Sequence, residues 1–221
     1  MTDIELIHGD SLQALKGYGD NHFDVAIVDP PYGVEIEKNQ KAYHENKTVS
    51  NGGKWKKYDI KGWDNAIPTK EYFNELQRVS KNQIIWGGNY FLDYLGNTKC
   101  FLIWDKIQRT YLADGEIAWT SLNKPTKVFR LSKIDAYVNE LKKTQDTKIH
   151  PTQKPVSLYL WILENYTNEN DLILDTHLGS GSIAIACHHM KRKLIGYEID
   201  AEYYEKACKR FKEETAQQAL W

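Results

Sequence analysis

The sequence has few cysteines, no long apolar run and no marked excess of charge of either sign. The three cysteines, Cys100, Cys187 and Cys208, are too far apart for a metal-binding CxxC pair, so we expect buried free thiols in a reducing compartment. No apolar stretch approaches the roughly 18 residues of a membrane-spanning helix. The first ten residues contain three acids and do not resemble a signal peptide, so a cytoplasmic protein is expected.

Although the net charge of the chain is close to zero, two stretches of it are basic. The chain of 221 residues has a net charge of −1 and is long enough for one domain with a sizeable core. Residues 38–61 and 121–154 each carry a local excess of five positive charges. Such stretches are either solvated loops or phosphate-binding surfaces. The candidate nucleic-acid contacts are Lys54, Lys56, Lys57, Lys124, Lys127 and Arg130.

Short apolar runs alternate with helical patterns along the chain. The predicted strands are Ile4–Ile7, Phe23–Val28, Gln83–Trp86, Cys100–Trp104, Glu116–Thr120, Leu172–Leu174 and Leu194–Gly196. The predicted helices are one capped by Thr69, a buried one over Val156–Leu163, one from Ser182 to His189 and an amphipathic one around Tyr203–Phe211. This alternation predicts a single α/β domain with a doubly wound, mostly parallel sheet. Residues 36–62 are expected to form a long mobile loop, and 124–149 an added recognition element.

The sharpest motif is Asp29-Pro30-Pro31-Tyr32-Gly33, which directly follows the strand Phe23–Val28. Ligands of α/β sheets bind at the carboxyl ends of strands, where this motif lies. Asp29 and the Pro30 carbonyl are paired acceptors for the two N–H groups of an aromatic amine, and Tyr32 offers a ring for stacking. Hydrogen bonds from both N–H groups to these acceptors would make the lone pair of the amine nitrogen available for attack on a sulfonium methyl group. Asp29 would then stabilise the positive charge that develops on the nitrogen. The alternative is a turn in which Asp29 only caps a loop.

A second motif, Asp175-Thr176-His177-Leu178-Gly179-Ser180-Gly181-Ser182, joins a strand to a helix. Gly179 and Gly181 permit a tight turn, and the helix start offers free N–H groups to an anion. Glu198, about twenty residues on, is placed to bind ribose hydroxyls or is a surface acid. Asp10 either accepts from an adenine amino group or caps the helix Ser11–Leu15.

These motifs, with HPTQKP at 150–155, WGGNYF at 86–91 and YEID at 197–200, make the sequence similar to the amino-methyltransferases of bacterial and phage DNA. The order resembles the circularly permuted β group, in which the catalytic motif precedes the cofactor motif. The resemblance implies a Rossmann-like S-adenosylmethionine-dependent fold and a target base flipped out of DNA, with no metal. It also implies a bacterial or phage-infected cell and a monomer or homodimer.

The resemblance assigns roles to individual residues. Asp29, Pro30, Pro31 and Tyr32 would be catalytic. The cofactor site would comprise Asp10, Asp29, Thr152, Lys154, Asp175, His177, Gly179, Gly181, Ser182 and Glu198. The family's cofactor loop usually reads Asp-Pro-Phe, so His177 here either replaces the aromatic side chain or is exposed. The segment 124–149 is short for target recognition, which implies low sequence specificity or a dimer.

An Asp before Pro-Pro-Tyr is usual for adenine enzymes of this group, and a Ser for cytosine enzymes. The sequence therefore predicts adenine N6 as the target. Cytosine-N4 methylation of DNA, methylation of RNA and methylation of a protein glutamine are the enzymatic alternatives. A catalytically silent nucleic-acid-binding module is the alternative from another class.

Overall fold

A computed structural model of the protein describes residues 3–34, 64–107, 113–132, 149–150 and 152–216. In these residues, eight strands form one sheet in the order β1-β8-β7-β2-β3-β5-β4-β6. The strands are β1 (Ile4–His8), β2 (Phe23–Val28), β3 (Ser80–Trp86), β4 (Phe101–Asp105), β5 (Gly115–Thr120), β6 (Lys127–Arg130), β7 (Leu172–Asp175) and β8 (Lys193–Glu198). The seven predicted strands are confirmed, with ends that shift by at most three residues.

Neighbouring strands are parallel except around β5, which is antiparallel to both β3 and β4. Strand β6 was not predicted; it adds an edge to the sheet by pairing in parallel with β4. Its residues have no apolar run, because an edge strand is held mainly by its backbone hydrogen bonds and needs little burial. Part of the predicted recognition element at 124–149 is therefore a strand of the sheet.

Helices cover both faces of the sheet. They are α1 (Ser11–Leu15), α2 (Lys70–Val79), α3 (Leu92–Leu95), α4 (Val156–Tyr166), α5 (Ser182–Met190) and α6 (Ala201–Ala216). Alternate residues of β2 face opposite sides, so Val25 and Ile27 pack with α4 and α5, whereas Ala26 and Val28 pack with α1 and α2. The result is a three-layer α/β architecture, as the sequence predicted.

Local sequence explains where two helices begin. The Thr69 hydroxyl accepts a hydrogen bond from the Tyr72 N–H at 3.3 Å, so Thr69 is the predicted N-cap of α2. From that start, Tyr72, Phe73, Leu76 and Val79 face the core. Asp10 caps α1, because its Oδ1 accepts from the Leu12 N–H at 2.8 Å.

The chain leaves β7 and β2 in opposite directions, and this creates a crevice between them. From β7 it continues through α5 to β8, and α2 leads into β3 on the other side of β2. Because β7 and β2 are parallel neighbours, their carboxyl ends lie together at this switch point, where open α/β sheets bind ligands. Asp175 ends one strand and Asp29 follows the other.

The C-terminal helix packs against the strand that begins the described chain. The Tyr204 hydroxyl donates to the Leu6 carbonyl at 3.1 Å, and the Tyr204 ring stacks on His8. Strand β1 pairs in parallel with β8, which directly precedes that helix. The first and last described elements are therefore neighbours, which fits the permuted order that the resemblance implies.

The predicted loop at 36–62 lies outside the described residues, as does most of 124–149. No helix in the described ranges is long and apolar enough to cross a membrane. Cys100, Cys187 and Cys208 are free thiols, the first two buried and the third half-buried.

Candidate active site

The loop after β2 is fixed by hydrogen bonds at both its side chains and its backbone. The Tyr32 hydroxyl donates to Asp29 Oδ1 at 2.6 Å. Asp64 is buried, and its Oδ1 accepts from the backbone N–H groups of Tyr32 at 2.7 Å and Gly33 at 3.0 Å. Since Pro30 and Pro31 have no N–H, these contacts provide the hydrogen bonds that hold the turn. Asp29 is thereby held at the switch point.

The Tyr32 ring lies between the loop and the turn that follows β3. It stacks on Tyr90 with ring centroids 5.1 Å apart and an angle of 14°. It also packs closely on Gly87, where a Cβ atom would lie 2.2–2.7 Å from three atoms of the ring. Gly87 has φ +67°, so glycine suits both the backbone and the contact. Tyr90 is 46% exposed, which leaves an aromatic surface at the mouth of the site.

Lys154 lies against the Asp29 carboxylate. Its Nζ is 2.5 Å from Asp29 Oδ2 and 3.1 Å from Glu116 Oε2, and its side chain is only 3% exposed. The other Glu116 oxygen is 2.5 Å from Lys106 Nζ. Asp29, Lys154, Glu116 and Lys106 therefore form a row of alternating charges, which we call the charge chain; its two lysine side chains are buried, and its two acids are 15% and 24% exposed. We predicted Lys154 as a cofactor contact, and the structure places it beside Asp29.

Burial and neighbouring charges set the pKa values of this row. Burial raises the pKa of Asp29 more than Lys154 lowers it, so the pKa of Asp29 stays above its usual range. Burial also favours neutral Glu116, but Lys154 and Lys106 lower the pKa of Glu116 to about 2. Burial lowers the pKa of Lys154, and Asp29 and Glu116 more than reverse this, so that pKa is raised. The protonation state of each of these three groups therefore depends on the charges of its neighbours in the row.

The glycine turn follows β7, the strand next to β2. Gly179 and Gly181 have φ +52° and +70°, the left-handed backbone that the sequence predicted for this turn. The Gly179 N–H donates to Glu198 Oε2 at 2.8 Å, and the Asp200 N–H donates to Glu198 Oε1 at 3.0 Å. Glu198 therefore fixes the turn as well as lying at the end of β8.

Asp175 and His177 are perturbed by burial at the same crevice. Asp175 Oδ1 accepts from the His177 N–H at 3.0 Å. Burial raises the pKa of Asp175 to about 8, with further contributions from the charges of Asp29 and Glu198. Burial lowers the pKa of His177 to about 4, so its ring is neutral near pH 7. The His177 ring contacts the edge of Tyr72 at 5.5 Å, as an aromatic residue at this position would.

Three further predicted cofactor residues have structural partners. Ser182 is buried, and its hydroxyl accepts from Arg210 Nη1 at 2.8 Å, so it faces α6. Thr152 Oγ1 lies 3.1 Å from His150 Nδ1, and the His150 ring packs near Gly179, which brings Thr152 close to the glycine turn. Asp10 follows β1, next to β8, and has the N-cap role that was one of its two predicted roles.

The structure separates the predicted DNA contacts. Lys54, Lys56 and Lys57 lie outside the described residues. Arg130, at the carboxyl end of β6, shares an edge of the sheet with Asp29, and its side chain is 68% exposed. Lys124 bonds to the Asn165 carbonyl at the far end of α4, and Lys127 begins β6. These two lysines therefore lie toward the opposite end of the sheet, away from Asp29.

Sequence reasoning missed Asp64, Glu116 and Lys106, because their role depends on contacts between distant segments. Only Glu116 had a visible signal, as an acid inside an otherwise apolar strand. Across the described part of the chain, no three His, Cys, Asp or Glu side chains form a group that could hold a metal ion.

The sheet order, the glycine turn and the acidic loop at the switch point define a class, the α/β methyltransferase fold. Solved structures agree with it. The cytosine-N4-specific PvuII DNA methyltransferase superposes with a TM-score of 0.62 at 14% identity, over 98% of this chain and 91% of that one. The complex of M1.HpyAVI with S-adenosylmethionine gives a TM-score of 0.57 at 22% identity, over 94% and 98% of the two chains.

Sequence comparison gives the family. Residues 96–209, just over half of the chain, match the N6/N4 family model described as DNA methylase. The Type II methyltransferase M.HpaI of Haemophilus parainfluenzae is 25% identical, over 96% of this chain and 75% of that protein. M.HinfI of Haemophilus influenzae is 23% identical, over 94% and 68%. The chain belongs to the N6/N4 family of DNA methylases and is a DNA methyltransferase.

Proposed function

We propose that the protein transfers a methyl group from S-adenosylmethionine to N6 of adenine in DNA. The observation that carries the proposal is Asp29, held by Tyr32 and Lys154 at the switch point next to the glycine turn. A carboxylate at this place can accept a hydrogen bond from an exocyclic amine while a cofactor occupies the neighbouring turn. The complexes of M1.HpyAVI and of a Thermus thermophilus putative DNA modification methylase with S-adenosylmethionine support this choice of cofactor.

The residues at the glycine turn fit a cationic nucleoside. Asp175, Glu198 and Asp29 bring three carboxyl groups to one crevice, and the proximity of the other two helps to raise the pKa of Asp175. S-adenosylmethionine carries a sulfonium and an ammonium group, which would relieve this repulsion. Gly179, Gly181 and the N-terminus of α5 would receive its carboxylate, and Glu198 its ribose. When bound, the cofactor supplies an electrophilic methyl group.

This chain's own residues would prepare the base. Tyr32 and Tyr90 offer aromatic surface for the flipped adenine, and such stacking contributes about 1–3 kcal/mol per base in single-strand binders. Asp29 and the Pro30 carbonyl would accept from the two N–H groups of the amine, so that its lone pair is free to attack. As the nitrogen–carbon bond forms, the sulfur–methyl bond would break and leave a neutral thioether. The Asp29 carboxylate would stabilise the positive charge on the nitrogen until the amine loses a proton to solvent.

Cytosine N4 is the second candidate, because the PvuII enzyme of the same fold is specific for it. Both bases present an exocyclic amine to the same acceptors, and Asp29 favours adenine only through the resemblance described above.

Nucleoside mass spectrometry of unmethylated DNA incubated with the protein and S-adenosylmethionine tests the proposal. We expect N6-methyladenine and no modified cytosine. N4-methylcytosine would keep the site assignment and overturn the choice of base. If RNA but not DNA is modified, or if nothing is modified although the cofactor binds, the proposed substrate is wrong.

A further inference from the structure

We propose that Lys154, Glu116 and Lys106 are positioning residues that together set the charge and acceptor strength of the Asp29 carboxylate and aim it at the target amine. The inference rests on the proposed function and deepens it. It concerns how a buried acid keeps the charge state that the reaction needs, which neither the motif nor the family match addresses.

The geometry is a row in which each charged group contacts the next. Lys154 Nζ is within hydrogen-bond distance of Asp29 Oδ2, Glu116 Oε2 and, at 3.3 Å, the Tyr32 hydroxyl. It also lies 5.4 Å from the centroid of the buried Trp86 ring. Glu116 is the second residue of β5, and Lys106 follows β4, its antiparallel partner. The ends of three strands (β2, β4 and β5) and the segment before α4 therefore assemble the row.

Asp29 needs neighbouring cations because it has lost most of its contact with water. A lone carboxylate in a buried site takes up a proton, because the charged form loses its hydration. A protonated Asp29 would be a weaker acceptor for the amine and could not balance the positive charge that develops. Lys154 offsets this cost with a direct ion pair. Lys154 and Tyr32 each occupy one lone pair of a different Asp29 oxygen. Each oxygen keeps a second lone pair, so Asp29 can still accept from the amine.

Glu116 limits the effect of Lys154. An ammonium group paired with Asp29 alone would withdraw so much charge that Asp29 would be a poor acceptor. Because Lys154 lies between two carboxylates, its charge is shared, and Lys106 in turn neutralises the other side of Glu116. The charge chain therefore keeps Asp29 between two extremes. In one, Asp29 is protonated; in the other, it is ionised but so strongly paired with a cation that it accepts hydrogen bonds poorly.

Removing a cation of the charge chain and removing an anion of it should shift the pH dependence of activity in opposite directions. The titratable and charged groups that face Asp29 are Lys154, Tyr32, Glu116, Asp175 and Tyr159. Losing the Lys154 cation raises the pKa of Asp29, so activity should appear only at higher pH. Losing the Glu116 anion lowers the pKa of Asp29, so the acid limb should move to lower pH.

The experiment measures kcat/KM for DNA methylation against pH in the full-length protein and its variants. Lys154→Met should shift the acid limb upward by about 1–3 pH units. Glu116→Gln should shift it downward by a smaller amount, and Lys106→Met upward by less than Lys154→Met. The control is Lys81→Met, which removes a lysine paired with Asp24 at 2.7 Å at the opposite end of the sheet, and it should leave the profile unchanged.

Glu116→Gln keeps the inference testable if the lysine variants fail to fold, because the substitution preserves shape. Unmoved acid limbs in folded variants would overturn the inference. A higher KM for S-adenosylmethionine with an unmoved pH profile would also overturn it, and would make Lys154 the cofactor contact that the sequence predicted. A wild-type protein that modifies no DNA would refute the proposed function instead.

Discussion

Asp29 and Asp175 lie at the ends of neighbouring strands, yet their surroundings prepare them for different tasks. Asp29 has a lysine and a tyrosine hydroxyl as partners, which favour its ionised form. Asp175 has a backbone N–H as partner, and burial raises its pKa to about 8. The partners of Asp29 thus oppose the rise in pKa that burial causes, whereas Asp175 has no cation as partner among the described residues and is largely protonated near pH 7.

Asp29→Ala should reduce kcat by at least about 10²–10³-fold, because it removes the acceptor for the amine. The affinity for S-adenosylmethionine, measured by calorimetry, should change by no more than a few-fold. The matched control is Asp24→Ala on the same strand, where the acid pairs with Lys81 far from the crevice. If Asp29→Ala retains wild-type turnover, the assignment of the catalytic acid is wrong.

The affinity for S-adenosylmethionine should rise between about pH 6 and pH 8 and level off above the pKa of Asp175. The pKa of about 8 means that most Asp175 side chains are protonated below it, and a bound cation favours the ionised form. Cofactor binding should therefore release a proton, which calorimetry in buffers of different ionisation enthalpy detects.

Asp175→Asn is the control for this pH dependence. The cofactor's own amine titrates in the same range, near the usual α-amino pKa of about 7.7–8.0, and its contribution persists in the variant. The difference between wild type and variant isolates Asp175. An equal proton release from both proteins would contradict the prediction.

At the scale of elements, the turn after β3 supports the proposed catalytic loop, the one that follows β2, from the side. Gly87 packs on the Tyr32 ring, and a Cβ at Gly88 would meet the Trp119 side chain at 2.3 Å. The turn is therefore pressed between Tyr32 and β5, and it carries Tyr90 to the mouth of the site.

Gly87→Ala should reduce kcat by about tenfold or more, because a methyl group would displace the ring that orients the base. Gly96→Ala is the control for space, because a Cβ there would meet nothing within 4 Å. Its backbone (φ +69°, ψ −171°) tolerates a side chain less well than that of Gly87 (φ +67°, ψ +21°), so Gly96→Ala should lose at least the roughly 1–2 kcal/mol of unfolding free energy expected for Gly87→Ala. Only Gly87→Ala should also lose activity, and equal kcat values would show that the contact with Tyr32 is unimportant.

At the scale of the molecule, the carboxyl edge of the sheet is the face that DNA must approach. Asp29, Glu116, Lys106 and Arg130 all lie along this edge. Strand β6 lies four positions from β2, or about 19 Å at the usual strand spacing. A duplex that presents a flipped base to Asp29 could therefore bring a phosphate to Arg130.

Arg130→Gln should weaken DNA binding and reduce the slope of log K against log salt by about 1. Lys124→Gln removes one positive charge at the other end of the sheet and should leave the slope unchanged. Fluorescence anisotropy between about 50 and 200 mM salt measures both. An unchanged slope for Arg130→Gln, or an equal fall for both variants, would contradict this orientation. The predicted contacts Lys54, Lys56 and Lys57 remain to be tested by the same measurement.

The sequence by itself determined the fold class and most element positions. Buried parallel strands are short apolar runs, and amphipathic helices repeat their apolar positions, so both patterns are local and readable. The proposed catalytic loop and the glycine turn were also readable, because each needs particular residues, prolines in one and glycines in the other, within a short stretch.

Only the tertiary structure decided which side chains complete the site. Lys154 lies 125 residues from Asp29 along the chain, and Glu116 reaches it from a strand two places away in the sheet. Strand β6 likewise exists only through its pairing with β4, since its sequence has no apolar pattern of its own. Ion pairs and edge pairing act between segments that the fold brings together, so no local pattern in the sequence records them.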